Sequence, residues 1–172
     1  MSAMLTVCEK SRRTGATWGV GAAAVLTSGA EKAAGGMDTF YVGYNLDMAR
    51  EFIDTCAEWA RAFDQLCGEV EDCLFSDGPD SAIAAFRIRF ASGYEVLALP
   101  SRPRSLRGRQ GFVVIDEAAF HDDLEGVLKA AFAADLGRPR AGHLHLPRRG
   151  QLILQAVPGR ALARAAGRDP AL

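Results

Sequence analysis

The sequence predicts an α/β fold built on a mostly parallel sheet, and three observations carry that prediction. Leu5-Thr6-Val7-Cys8 reads as a short buried strand and precedes an Ala-rich helical stretch from Gly19 to Leu26. Phe112-Val113-Val114-Ile115 is an unbroken apolar run, as suits a strand covered on both faces, and precedes a helical pattern from Asp122 to Ala134. Asp38 to Tyr44, aromatic and β-branched, also leads into a helix, so strand and helix alternate along the chain.

Between the first strand and its helix lies a basic loop, Glu9-Lys10-Ser11-Arg12-Arg13-Thr14-Gly15-Ala16-Thr17-Trp18. A strand, a loop and a helix N-terminus together can hold a phosphate, because backbone N–H groups aim at the anion while a lysine and a hydroxyl complete the shell. Against the pattern G-x-x-x-x-G-K-[ST], the loop keeps Gly15 and Thr17 and carries Ala16 where the lysine belongs. Lys10 lies upstream in the same loop, on a flexible stem long enough to bring its ammonium to a phosphate. Taken alone, such a loop also reads as a solvated surface turn.

After the strand Asp38 to Tyr44, Asn45 or Asp47 can cap a helix that carries Met48, Phe52, Cys56, Trp59 and Phe63 at helical spacing. These are core residues. Gly78-Pro79-Asp80 marks a turn, and Ala85 to Phe90 alternates apolar with charged residues, the pattern of a strand with one buried face. Ser92-Gly93 joins it to Tyr94 to Leu99, which predicts a hairpin at the sheet edge.

The strand Phe112 to Ile115 ends in Asp116-Glu117, and ligands of open α/β sheets gather beyond the carboxyl ends of the strands. An acid pair in this place is how nucleotide hydrolases present a Walker B element: the Asp holds magnesium through water and the Glu orients the attacking water. The alternative is a buried strand running into a helix start, where acids are favoured by the dipole. The basic loop and the acidic strand end, in one chain, favour the nucleotide reading.

Composition bounds the remaining classes. The 172 residues can bury one substantial core, and a net charge of −1 gives no bulk attraction to nucleic acid, so DNA contacts must be local. Cysteines 8, 56, 67 and 73 show no C-x-x-C spacing, which predicts reduced thiols, no zinc site and a cytoplasmic setting. Ser11-Arg12-Arg13 followed by the apolar run Ala16 to Leu26 also imitates a twin-arginine export signal, although Gly19 and Gly21 dilute that run. No membrane-spanning segment and no internal repeat are predicted.

Lys10 to Trp18 resembles the deviant Walker A of phage terminase large subunits, in which the phosphate lysine sits at the beginning of the loop. Phe40 to Ala49 with Glu51-Phe52-Ile53, Leu99 to Gly108, and Ile115 to His121 are similar to the terminases of Mu-like prophages. The resemblance runs from about Met4 to Phe132. It implies a RecA-like, additional-strand P-loop ATPase domain that uses ATP and Mg2+ to drive double-stranded phage DNA into a procapsid. A nuclease domain, a portal, a small terminase subunit and a homo-oligomeric ring belong to the same implication. Carried over by position, Lys10, Ser11, Arg12, Arg13, Thr14, Gly15, Ala16 and Thr17 would cradle the nucleotide. Thr17 and Asp116 would hold the metal, Glu117 would be the catalytic carboxylate, and Arg12 or Arg13 would stabilise transferred charge, Arg13 standing with Glu117 among the catalytic residues. Arg102, Arg104 and Arg107 could serve DNA phosphates or a neighbouring subunit, or lie in a solvated loop.

Residues 1–134 are therefore expected to form a partial ATPase domain. Residues 135–172 are rich in Arg, Ala and Pro, hold Asp169 as the one acid after Asp135, and are expected to be an irregular tail. Back-translating Asp135 to Leu146 with a one-base shift permits a reading that contains Ile-Ser-Thr, the coupling motif a terminase should show next. The expectation is a frameshift near residues 130–136, which leaves His143 and His145 without a role. An inert prophage remnant, binding magnesium-ATP weakly and hydrolysing little of it, and a helicase-type RecA-like ATPase are the alternatives.

Overall fold

The computed structural model describes residues 4–9, 14–64, 67, 69–76, 82–106, 109–136 and 151–156. The strands are β1 (Met4–Glu9), β2 (Thr39–Gly43), β3 (Glu71–Ser76), β4 (Ala82–Arg89), β5 (Glu95–Pro100), β6 (Phe112–Ile115) and β7 (Gln151–Ala156). The helices are α1 (Ala16–Gly29), α2 (Leu46–Ala62) and α3 (Leu124–Leu136). Short 3-10 turns lie at Lys32–Ala34, Pro103–Leu106 and Ala118–Phe120.

The strands form one open mixed sheet in the order β1-β7-β6-β2-β5-β4-β3. Pairing is parallel from β1 through β7, β6 and β2 to β5, and antiparallel from β5 through β4 to β3. The expected hairpin is present as β4 and β5, with Phe86 opposite Ala98 and Arg89 opposite Glu95. It is not at the sheet edge. β5 also pairs with β2, and β3, which the sequence reading passed over, takes the edge beyond β4. Acids occupy the first two positions of Glu71-Asp72-Cys73-Leu74-Phe75-Ser76, so the segment lacks an alternating apolar signal.

A further correction concerns the segment read as an irregular tail. β7 falls inside it and lies between β1 and β6, with Thr6 opposite Ile153 and Val114 opposite the same residue. Its apolar triplet Leu152-Ile153-Leu154 is the kind of short run that makes a covered strand, and the Arg- and Pro-rich surroundings hid it.

Strand alternation divides the core into two layers. Phe112, Val114, Tyr41, Val96 and Ala98 pack on one face with Ala24 and Val25 of α1 and Phe52, Ile53 and Cys56 of α2. Val113, Ile115, Phe40, Val42, Leu97 and Leu99 pack on the other with Leu106 and with Val127, Ala130 and Ala131 of α3. β2 and β6 are buried along their whole length, as parallel strands covered on both faces must be. α2 starts where the sequence predicts, with the Asn45 side chain accepting from the Met48 N–H at 2.8 Å. Gly21 brings α1 close to α2: a Cβ there would meet Thr55 Cγ2 at 3.1 Å and Cys56 Sγ at 3.8 Å. That crossing fixes where the N-terminus of α1 points.

Candidate functional site

Two periodicities bring the site together. On β6, residues 112 and 114 face α1 and α2, so the next residue in the series, Asp116, emerges on that face just past the strand end. On β2, Tyr41 faces the same layer and lies opposite Val114 in parallel register. The Asp116 N–H continues the pairing by donating to the Val42 carbonyl at 3.1 Å, which fixes the exit of the chain.

α1 supplies the facing wall. Gly15 sits at its N-cap with φ +75°, the left-handed conformation that glycine adopts without a Cβ penalty, and its carbonyl accepts from the Gly19 N–H at 2.9 Å. No acidic residue and no side-chain cap occupies this helix start. The positive end of the helix dipole lies at this start. Thr17 follows on the first turn, and its hydroxyl donates to Asp116 Oδ2 at 2.9 Å.

Asp116 is 1% exposed, and a carboxylate so deeply buried needs donors. It has them on both oxygens. Oδ2 accepts from Thr17 Oγ1 and from the Tyr41 hydroxyl at 3.1 Å, and Oδ1 accepts from the Glu117 N–H at 2.8 Å. Burial, and then the Asp116 charge, push the Tyr41 phenol far above its ordinary range, so it stays a proton donor. The Asp116 carbonyl is held as well. His121 Nε2 lies 2.7 Å from it, and His121 Nδ1 lies 2.6 Å from Ser101 Oγ at the end of β5. A ring donating from Nε2 to the carbonyl and accepting at Nδ1 from the serine satisfies every atom. Burial lowers the His121 pKa and favours that neutral form.

Glu117 takes the left-handed conformation, φ 50° and ψ 45°, at the turn between β6 and the 3-10 segment Ala118–Phe120. A residue with a Cβ is strained there, at a cost of about 1–2 kcal/mol. The turn is bracketed by the Asp116 side chain on the Glu117 N–H and by the Phe120 N–H on the Glu117 carbonyl at 2.9 Å. The left-handed conformation breaks the extended backbone of β6 at Glu117. Its side chain is partly exposed beside buried Asp116.

No family model matches the chain. Over 132 residues, 77% of its length, it is 51% identical to the Mu-like prophage FluMu protein gp28 of Haemophilus influenzae. Over 135 residues it is 48% identical to a protein of Escherichia phage Mu described as a probable terminase large subunit, gp28. The chain is a homologue of the Mu-type gp28 terminase large subunit. It spans about a quarter of the gp28 relatives' length, 26% and 24% respectively.

In this gp28 homologue the structure brings Thr17, in the first turn of α1, together with Asp116, just past the end of β6; Gly15 and Ala16 stand at the start of α1, Thr14 just before it, and Glu117 follows Asp116. Lys10, Ser11, Arg12 and Arg13 lie outside the described residues, as do Arg107, His143 and His145. Arg102, just before the turn Pro103–Leu106, and Arg104, within it, are exposed. Among the described residues, no group of three or more His, Cys, Asp or Glu side chains is gathered to hold a metal. No described helix is long and apolar enough to cross a membrane. The sequence reading missed Tyr41, Ser101 and the role of His121. Alternation along β2 was the available signal for Tyr41, since it puts that residue and Asp116 on one face.

Proposed function

We propose that the chain carries the nucleotide-binding core of the ATPase domain of a phage DNA-packaging terminase large subunit. The observation that carries this reading is the hydrogen bond from Thr17 to Asp116, which joins a glycine-led helix N-terminus to an acid at the end of a covered strand. In a P-loop ATPase these are the Walker A hydroxyl and the Walker B carboxylate, and they meet where the magnesium of a bound nucleotide belongs. Homology to gp28 supports the same reading. So does the strand order, in which β7 intervenes between β1 and β6 as an additional-strand, RecA-like sheet requires.

The donor set suits magnesium. This ion takes one or two protein oxygens and completes its shell with water and phosphate, so a threonine hydroxyl and one carboxylate suffice where a zinc or calcium cage would need more. Thr17 and Asp116 would hold it, and when bound it neutralises charge developing on the transferred phosphoryl group. The N–H groups of the first turn of α1, with Lys10 and Arg12 or Arg13 from the preceding loop, would bind the phosphates. Glu117, next to Asp116, would orient the attacking water. Double-stranded DNA, a portal, a small subunit and assembly into a ring in the cytoplasm are part of this proposal.

Binding and turnover of ATP by the purified chain test it. Magnesium-dependent ATP binding, with any hydrolysis lost in Glu117→Gln, is the expected result. Binding without hydrolysis in the unaltered chain favours an inert remnant. Absence of magnesium-dependent binding rejects the nucleotide reading.

A further inference from the structure

Asp116 is held by a residue that belongs to neither the loop before α1 nor the strand that ends in the acid pair. Tyr41, in the middle of β2, is fully buried, and its ring stacks on Phe52 of α2 with centroids 3.8 Å apart and planes 6° from parallel. Burial and stacking restrict the ring, and its hydroxyl donates to Asp116 Oδ2 at 3.1 Å. Thr17 donates to the same oxygen from the opposite wall.

The two donors have different futures when a cation arrives. The Thr17 hydroxyl has lone pairs to offer a metal while its proton stays on Oδ2, whereas the Tyr41 hydroxyl is buried and, among the bonds described, gives its proton to Asp116 alone. We propose that Tyr41 is a positioning residue, which holds Oδ2 of Asp116 while the Glu117 N–H holds Oδ1, and so keeps the carboxylate in the orientation in which it and Thr17 would hold the magnesium of a bound nucleotide. This inference rests on the nucleotide reading. It adds that magnesium affinity is set in part from β2, through a phenol that touches neither metal nor nucleotide.

The test titrates magnesium into the full chain with ribose-labelled fluorescent ATP, comparing unaltered protein with Tyr41→Phe, which keeps the stacked ring and loses the hydroxyl. The expected result is a magnesium midpoint raised about tenfold, from the loss of one hydrogen bond to a charged group, with nucleotide affinity in EDTA unchanged. A double-mutant cycle of Tyr41→Phe and Asp116→Asn in urea, without ligand, is expected to be non-additive, which reads the hydrogen bond directly. An unchanged midpoint in a chain that binds magnesium-ATP overturns the role of Tyr41 alone. An equal loss of binding with and without magnesium marks Tyr41 as a packing residue and also overturns it. An unaltered chain with no magnesium-dependent signal overturns the nucleotide reading and this inference with it.

Discussion

The hydroxyl of Thr17, in the first turn of α1, donates to Oδ2 of Asp116 at 2.9 Å, although 99 positions separate them in the chain. The contact exists because α1 crosses α2 closely at Gly21 while β6 runs beside β2, so the two ends converge at one edge of the sheet. Thr17→Ser keeps the hydroxyl and is expected to leave magnesium-dependent nucleotide binding within about threefold. Thr17→Ala is expected to lose tenfold or more of it, at a cost in stability of about 1 kcal/mol for the missing hydrogen bond. Fluorescent-nucleotide titration and urea denaturation of the two variants read these effects separately.

Glu117 offers a separation of stability from function. Its left-handed conformation strains any residue with a Cβ, and glycine relieves that strain. Glu117→Gly is therefore expected to be more stable than Glu117→Ala by about 1 kcal/mol, the reverse of the usual order at a strand end. Both are expected to abolish hydrolysis and retain nucleotide binding. Thermal melting that places the alanine variant above the glycine variant would show that the turn relaxes without cost.

Much of this was legible in the letters because the signals are local. The apolar run ending in Asp116-Glu117, the glycine two positions before Thr17, and Asn45 ahead of an amphipathic run each point to one local geometry. What stayed hidden depends on partners remote in sequence. Tyr41 reads as another apolar strand residue until a carboxylate 75 positions away gives its hydroxyl a purpose. β3 has acids where a strand signal should begin, so the hairpin was placed at an edge that β3 in fact occupies. β7 was lost in its basic surroundings.

Cysteine chemistry follows from burial. Cys56 on α2 is fully buried, its thiol 3.9 Å from the Gly21 carbonyl, and burial pushes its pKa well above the ordinary range. The thiolate is the reactive form, so Cys56 is expected to resist a thiol-specific label in native protein at pH 7–8, whereas exposed Cys8 and Cys67 react. The sign for stability is also fixed. A folded-state pKa above the unfolded value means that stability is fully present below about pH 8.5, the ordinary thiol value, and is lost as pH rises past it. Mass mapping of labelled peptides, and urea midpoints between pH 7 and 10 with and without Cys56→Ala, check both statements. A midpoint that falls equally in the two proteins assigns the alkaline loss to other groups.

His121 ties two strand ends together, since one ring nitrogen meets the Asp116 carbonyl and the other meets Ser101 Oγ beyond β5. Removing the ring strands a buried carbonyl and a half-buried hydroxyl at once. His121→Ala is therefore expected to cost about 2 kcal/mol, and Ser101→Ala about 1 kcal/mol. Because the two side chains share one bond, the double variant is expected to cost about 1 kcal/mol less than the sum of the singles. The carbonyl that His121 holds precedes the strained Glu117, so a second effect should accompany the first. If the chain turns over ATP, His121→Ala is expected to lower kcat more than it raises KM, because Asp116 keeps its donors while Glu117 loses its frame. Additive stabilities, or a change confined to KM, would show that the ring fills space beside the turn without setting it.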